Sequence, residues 1–472
     1  VASPNILAYL MLFVWPMLSW QMWNRLDPAR ALIWTVLGGY LIMPPLTVIN
    51  FPIIPDLDKT TIPNLIAWYC ALYVVRDKIS FLPEGRMGKA LILMYILSPF
   101  ATVLTNTDAL YFGAGYVQGM KIYDSAAAVA NQFIALLPFF LARRYLGTPE
   151  GMRAVLEALV LAGLWYSVPM LIEARFSPQM NVWVYGFFQH DFFQTIRQGG
   201  YRPVVFLPHG LWVAFFALMC LLAALVRLRD TPAEVRPKAL VIVLYLAFML
   251  YICKSAGVVV YALCFAPLLL LASWRVQVLV AGVLALVVIS YPILRGLHLV
   301  PLQQILDFAN GFSADRAGSL QFRFDNEEEL LARAQEKSLF GWGGYGRAFL
   351  HDPITGQMTA IADGYWVIVM GTYGWLGFIA EFGLTGLPLL ILGREALSRF
   401  APPFSRYTAG LALILAANMV DLLPNATHIP FTWLMAGGLL GEAERMRRLR
   451  LAESRAVLRG GLKDGKQKRT VI

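Results

Sequence analysis

Four short clusters carry most of this chain's capacity to act on an anionic ligand. The first runs from Arg197 through Gly199, Gly200 and Tyr201 to Arg202 and on to Pro208 and His209. The second is Lys254 with Ser255, the third is Arg323, and the fourth is Asp363, followed by Gly364, Tyr365 and Trp366. A guanidinium grips phosphate oxygens bidentately and an ammonium acts as a point charge. Three cationic clusters brought together with a carboxylate would therefore suit a phosphorylated ligand. Whether they meet depends on the elements that hold them.

Hydrophobic residues make up 58% of the 472-residue chain and charged residues 14%, too few charges to clothe a soluble protein of this size. The apolar excess falls in runs of about 17–25 residues, enough to cross a ~30 Å hydrocarbon core as helix. The sequence therefore reads as an all-α, polytopic membrane bundle of about 12–13 spans. Expected spans lie near 5–23, 31–49, 61–76, 88–106, 123–142, 153–173, 203–226, 238–254, 256–273, 276–296, 365–392, 407–423 and 429–441. This divides the chain into a bundle over 1–296 with a loop at 174–202, a polar loop at 297–364, further spans in 365–441 and a basic tail at 442–472. The first apolar run continues into further spans and so reads as a span rather than a cleavable signal. Cys70, Cys220, Cys253 and Cys264 lie in or at the ends of apolar runs without metal spacing, as packing residues do.

The net charge of +10 reads as topology rather than nucleic-acid binding, because its largest cluster is the tail from Arg445 to Arg469. That tail either anchors topology in solvent or touches anionic lipid. Loops at 24–30, 76–89, 143–153, 227–238, 273–275 and 394–406, with the tail, carry Lys or Arg and alternate along the chain with the remaining loops. The positive-inside rule places them in the cytoplasm. Segments 50–60, 107–121, 174–202, 297–364 and 424–428 then face outward, with all four polar clusters on that side. Cationic groups at membrane depth are expensive and usually face a cavity or a partner, so their convergence suggests a site for a phosphorylated lipid. Each residue has a plainer reading. Arg202 could anchor at headgroups, Lys254 could snorkel, Arg323 could pair with Asp325 or Glu327, and Asp363 could cap the following helix.

The polar loop contains a short helix expected at 325–337, with Asp325 and Glu328 spaced for a capping box. Leu330, Leu331 and Ala334 share one face, and Glu327, Glu328 and Glu329 read as its solvated side. Phe340, Gly341, Trp342, Gly343, Gly344, Tyr345 and Gly346 resemble a phosphate loop only in composition. No strand precedes them and no Lys-Ser/Thr follows, so the glycines are read as permitting a tight turn. The aromatic stretch 183–193 suits a membrane interface or stacking on sugar rings. Glu381, amid glycines within a span, is either functional or a hydrogen-bond acceptor where helices approach closely. Asn425 and Thr427 match a glycosylation sequon, a short and weak signal. No internal repeat of the transporter kind is visible.

In their order and spacing, these pieces resemble the bacterial O-antigen ligase and O-antigen/exopolysaccharide polymerase superfamily over about the last two-thirds of the chain, from near Glu173. The resemblance rests on several matches. Arg197 to His209 matches an Arg-Gly stretch before a Pro-rich helix start. Cys253-Lys254-Ser255-Ala256-Gly257 matches a polar turn. The polar loop opens near Arg323 and runs to Leu339, Phe340, Gly341 and Gly343. Re-entry follows through Asp363, Tyr365 and Trp366 into Tyr373, Gly374 and Gly377. The resemblance implies an inverting, metal-independent, GT-C-like glycosyltransferase of the bacterial inner membrane, working at the periplasmic face without a cofactor. Its donor would be a polyprenyl-diphosphate-linked glycan. On that reading Arg202 and Arg323, with Arg197 and the weaker Lys254, bind the diphosphate. Asp363 serves as general base, with His209 and His351 as fallback bases and Tyr365 and Glu381 as further candidates.

This chain has Asp363 where the ligases carry a His and Ala256 where the family has an Arg after Ser255, which favours a polymerase over a ligase. A chain-length regulator protein is a further partner the resemblance admits. The rival readings are a ligase that transfers finished glycan to lipid A-core or protein, and a transporter or flippase of lipid-linked sugars.

Overall fold

A computed structural model of the chain describes residues 3–51, 54–113, 115–197, 199–311, 314–398 and 404–467. In chain order the first half comprises α1 (Ile6–Arg25), α2 (Pro28–Ile42), β1 (Ile49–Phe51), β2 (Ile54–Leu57), α3 (Thr61–Tyr73), α4 (Arg86–Leu104), β3 (Leu110–Phe112), β4 (Gly115–Val117), α5 (Ile122–Tyr145), α6 (Pro149–Phe176) and α7 (Met180–Tyr185). The second half comprises β5 (Ile196–Arg197), β6 (Gly200–Tyr201), α8 (Gly210–Asp230), α9 (Arg236–Ile252), α10 (Ala256–Leu271), α11 (Trp274–Gly296), α12 (Leu302–Asn310), α13 (Ala314–Glu336), α14 (Tyr365–Ala396), α15 (Arg406–Asp421) and α16 (Pro430–Gln467). The strands form three small antiparallel hairpins, β1–β2, β3–β4 and β5–β6. Helix starts follow local chemistry: the side chains of Asn5, Asp27 and Thr148 accept from backbone N–H groups of the first turn, the last two ahead of a Pro at the first helical residue.

Among the described residues seven helices (α1, α4, α5, α6, α8, α11 and α14) are long and apolar enough to cross a membrane. Several other expected spans are shorter helices. The one expected at 31–49 ends at Ile42 because Pro44 and Pro45 follow. Of the long helices, α8 starts at Gly210 rather than at the expected 203, and the last expected span is the beginning of α16, which carries the near part of the tail as helix. Lys468 and Arg469 of that tail lie outside the described residues. Large apolar side chains point outward along α1, α9, α10 and α11, Met17, Val241, Leu263 and Leu286 among them. Such belts have no favourable contact with water and fit lipid. The chain is a multi-pass, predominantly helical membrane protein. Its helices pack as α5 on α16, α14 on α4 and α11, α11 on α15, and α6 on α8. The four cysteines are free, and three of them are buried.

The bundle has two chemically distinct ends. At one, Arg143 pairs with Glu444 at 2.8 Å, Arg144 with Asp77 at 2.8 Å, Arg450 with Glu395 at 2.6 Å and Arg406 with Asp230 at 3.2 Å. These pairs knit together the basic loops and α16. At the other end lie the three hairpins, α12 and α13, and the segments carrying the four polar clusters.

Two features of the polar loop differ from the sequence reading or extend it. Its helix, expected at 325–337, begins at Ala314, because Leu320, Gln321 and Arg323 are good helix formers with no Pro among them. Asp325 is therefore mid-helix, taking a hydrogen bond from Gln321 at 2.6 Å, and forms no capping box. Leu330, Leu331 and Ala334 are buried as one face, as expected.

The glycine-rich turn enters a break in α14. Gly374 there has φ 64° and ψ −161°. In an unbroken helix Trp375 N would donate to Gly371 O, and Leu376 N to Thr372 O. Instead Trp342 N donates to Gly371 O at 2.8 Å and Gly343 N to Thr372 O at 2.9 Å, while Trp375 N and Leu376 N donate to Ser338 O and Leu339 O at 2.8 and 3.2 Å. The turn thus satisfies both sides of the break, as membrane depth demands. Gly341 and Gly343 adopt φ of 70° and 80° to do so. A Cβ on Gly374 would lie 2.5 Å from the Leu339 carbonyl carbon. Gly374→Ala should therefore destabilise the docked turn by about 1–3 kcal/mol, read as faster tryptic cleavage at Lys337 in detergent.

Candidate functional site

Residues 202–208, between β6 and α8, form an irregular segment held from several directions. Glu173, buried near the end of α6, accepts from Val204 N and Val205 N at 2.7 Å each and from Met180 N at 2.9 Å. Gln189 donates to the carbonyls of Val205 and Leu207 at 2.9 and 3.0 Å. Lys59 donates to those of Phe206 and Met43 at 2.6 and 2.7 Å. The φ of 54° at Val205 is strained for a β-branched residue and persists because the surroundings over-determine it.

This clamp fixes Arg202, which is only 7% exposed and donates from Nε to Cys253 O at 3.3 Å. A Cβ on Gly210 would sit 2.1 Å from Arg202 Cδ, so that glycine gives the arginine its room. Among the described residues no carboxylate pairs with Arg202. Burial first, then repulsion from Arg197, with Arg323 contributing less, lower its guanidinium to about 10. Lys254 has φ 49° and donates from Nζ to the carbonyl of Arg197 at 2.9 Å, which props the β5–β6 hairpin over the site.

Arg323, on α13, neither pairs with Asp325 nor with Glu327. Its Nε lies 3.3 Å from Asp363 Oδ2 and its Nη1 donates to Asn425 Oδ1 at 3.3 Å. Asn425 Nδ2 donates in turn to Asp421 Oδ1 at 2.8 Å, and Thr427 Oγ1 to Asp421 Oδ2 at 2.5 Å. A polar chain therefore runs from Asp363 through Arg323 into the turn between α15 and α16, where the sequon residues hold Asp421. Asp363 does not cap α14; Gly364 occupies that place without a side-chain bond. A Cβ at Gly364 would approach Leu423 O to 2.3 Å, and Tyr365 N donates to Leu422 O at 3.0 Å. The tight approach holds Asp363 beside Arg323. Burial raises its carboxyl above the ordinary range, with Arg323 opposing the shift.

The glutamates of α13 are not all solvated. Glu327 is 8% exposed and accepts from Arg295 Nε at 3.0 Å, Tyr291 OH at 3.1 Å and Trp366 Nε1 at 3.2 Å. Glu328 also pairs with Arg295, at 2.6 Å, from a half-exposed site. The expectation failed for Glu327 because its partners lie on α11 and α14, far away in sequence. This knot fixes α13 against the first turn of α14, and with it Arg323 against Asp363.

The fallback histidines have structural places. His209 caps α8, its Nδ1 accepting from Leu211 N at 3.1 Å. Burial, aided by His190, Arg202 and the other cations, lowers it to about 3, so it is neutral near pH 7 and a poor base. His351 Nδ1 lies 3.1 Å from Phe349 O, with its ring stacked on Phe112 of β3. Tyr365 donates to Glu381 at 2.5 Å and stacks on His428, placing both residues just beneath Asp363. In the aromatic stretch Tyr185 and Phe187 are buried against Ala8, while Trp183 and Phe193 are exposed.

The structure thus brings Arg197, Arg202, Arg323, Lys254 and Asp363 to one end of the bundle, within electrostatic reach of one another, and leaves His351 apart. Sequence reasoning missed Glu173, Asp421 and Asn425 as the residues that position this centre. An acidic residue inside or closing an apolar run was the available signal for the first two. Comparison of the chain with protein-family models and with curated proteins finds no match.

Proposed function

We propose that this protein is an inverting glycosyltransferase of the bacterial inner membrane, with its site on the periplasmic side, that polymerises polyprenyl-diphosphate-linked oligosaccharides into exopolysaccharide or O-antigen. The observation that carries the reading is Arg202: a buried guanidinium, crowded by Arg197 and Arg323 and unpaired with any carboxylate among the described residues. Such a charge asks for an anion, and the lipid diphosphate supplies one. In the reaction an acceptor hydroxyl oxygen attacks the anomeric carbon from the face opposite the diphosphate. The carbon–oxygen bond to the diphosphate breaks, its electrons leave with the polyprenyl diphosphate, and the hydroxyl proton passes to Asp363. Arg202 and Arg323 stabilise the charge that grows on the leaving group. Arg323 reaches Asp363 and Asn425 through different arms of its fork, leaving further N–H groups for phosphate oxygens. In this scheme Lys254 holds the hairpin and acts on the diphosphate only through its charge.

Because Asp363 must be ionised to accept a proton, activity falls as pH drops through its raised pKa. The acid limb of kcat/KM is expected above the ordinary aspartate range. In Arg323→Gln it should move higher still, since the opposing charge is gone. An acid limb at the ordinary value, unmoved by that substitution, would remove Asp363 from the role of base.

The direct test is reconstitution with a polyprenyl-diphosphate oligosaccharide as sole substrate, with chelator present. A ladder of lengthening lipid-linked products supports the polymerase. Transfer only after adding lipid A-core or a protein acceptor makes it a ligase. Donor scrambled across the bilayer with no product overturns the enzyme reading in favour of a flippase.

A further inference from the structure

A cavity of about 250 Å³ lies between α4, α5 and the first half of α14, lined by Tyr95, Asn131, Gln132, Tyr365, Tyr373 and Glu381 among others. It begins at Tyr365, two residues beyond Asp363. Its described lining contains no Lys or Arg, so it does not suit the diphosphate. Nor does it suit a bare prenyl chain, which would leave the buried Gln132 Oε1 without a donor. Gln132 is 7% exposed. Its Oε1, buried on this wall, has no hydrogen-bond partner. Buried polar atoms are paired in the great majority of cases, so that carbonyl awaits a donor. Among the described residues the Glu381 side chain is bonded by the Tyr365 hydroxyl, and a carboxylate can accept further hydrogen bonds.

Tyrosine rings offer flat apolar faces with polar tips, the amides offer donors and acceptors, and the carboxylate accepts from hydroxyls. A neutral sugar ring has the matching chemistry, with C–H faces and a rim of hydroxyls, and the volume suits a single ring. We infer that the cavity is a saccharide subsite that seats one neutral sugar of the acceptor glycan beneath Asp363. This rests on the transferase reading for the word acceptor, but not for the binding itself.

The experiment uses the full chain in lipid nanodiscs, titrated with methyl glycosides of glucose, galactose, mannose, rhamnose and N-acetylglucosamine. At least one is expected to bind saturably at millimolar concentration. Gln132→Leu and Glu381→Gln should weaken it by about tenfold or more, whereas Arg323→Ala leaves it in place. If the first two variants fold poorly, Tyr373→Phe, which removes only a hydroxyl, should still weaken binding. No saturable binding of any glycoside, or binding unaffected in folded lining variants, overturns the inference. Sugar binding without transfer in the reconstituted assay would sink the transferase and leave the subsite. Transfer without sugar binding would do the reverse.

Discussion

Arg323→Ala is expected to lower glycosyl transfer by about 10²–10³-fold while the protein still inserts and folds. The arginine stands where two requirements meet. In the proposed reaction it would place a positive charge beside the leaving diphosphate, and in the structure it lies 3.3 Å from Asp363 and from Asn425 in the turn between α15 and α16. Its pair with Asp363 is partly exposed, 28% and 36% for the two side chains, so losing it costs little stability. Arg323→Lys should fall between the two, since it keeps the charge and loses the fork. Turnover of lipid-linked oligosaccharide, measured beside the melting temperature in detergent, separates catalysis from folding. Ordinary turnover in the alanine variant would end the proposed role.

The second large effect concerns stability. Glu327→Ala removes one side of a buried pair whose side chains are 4% and 10% exposed for Arg295 and Glu327, leaving the half-exposed Glu328 as the carboxylate paired with the guanidinium among the described residues. Breaking such a pair typically costs about 3–5 kcal/mol. It also strips Tyr291 and Trp366 of their acceptor, so the first turn of α14 loosens next to Asp363. Glu327→Gln should be milder, because an amide oxygen still accepts from one of the two rings. Replacing Arg295 and Glu327 together by methionine should recover much of the loss, since no charge is then stranded. Equal melting temperatures for wild type and Glu327→Ala would show that the knot contributes nothing.

What the sequence revealed and what it hid divide along a physical line. Apolar runs announce helices because length and hydropathy are local. The alternation of basic loops placed Arg202, Lys254, Arg323 and Asp363 at one end, because that rule depends on charge and not on contacts. Glu327 could not be separated from Glu328 and Glu329 by composition; only the arrival of Arg295, Tyr291 and Trp366 decides which of the three is buried. The early start of α13 was obscured by a plausible capping pair at Asp325 and Glu328. Asn425 looked like a sequon because its sequence neighbours are informative about glycosylation and silent about Arg323. Glu173 and Asp421 were detectable in principle, each being an acid at the end of an apolar run, but their partners are backbone groups and short polar side chains with no pattern of their own.

The exchange of hydrogen bonds at Gly374 also bears on how the molecule is assembled. Ser338, Leu339, Trp342 and Gly343 emerge from the ribosome before α14 does, so the partners for its broken turn are already made when that helix reaches the lipid. A helix with two unpaired carbonyls and two unpaired amides would otherwise meet hydrocarbon at a cost of several kcal/mol per group. Segments 338–343 and 371–376 therefore belong to one cooperative unit, although one is written in the sequence as loop and the other as membrane span. The line between scaffold and loop, so clear in a hydropathy profile, is crossed here by four backbone hydrogen bonds.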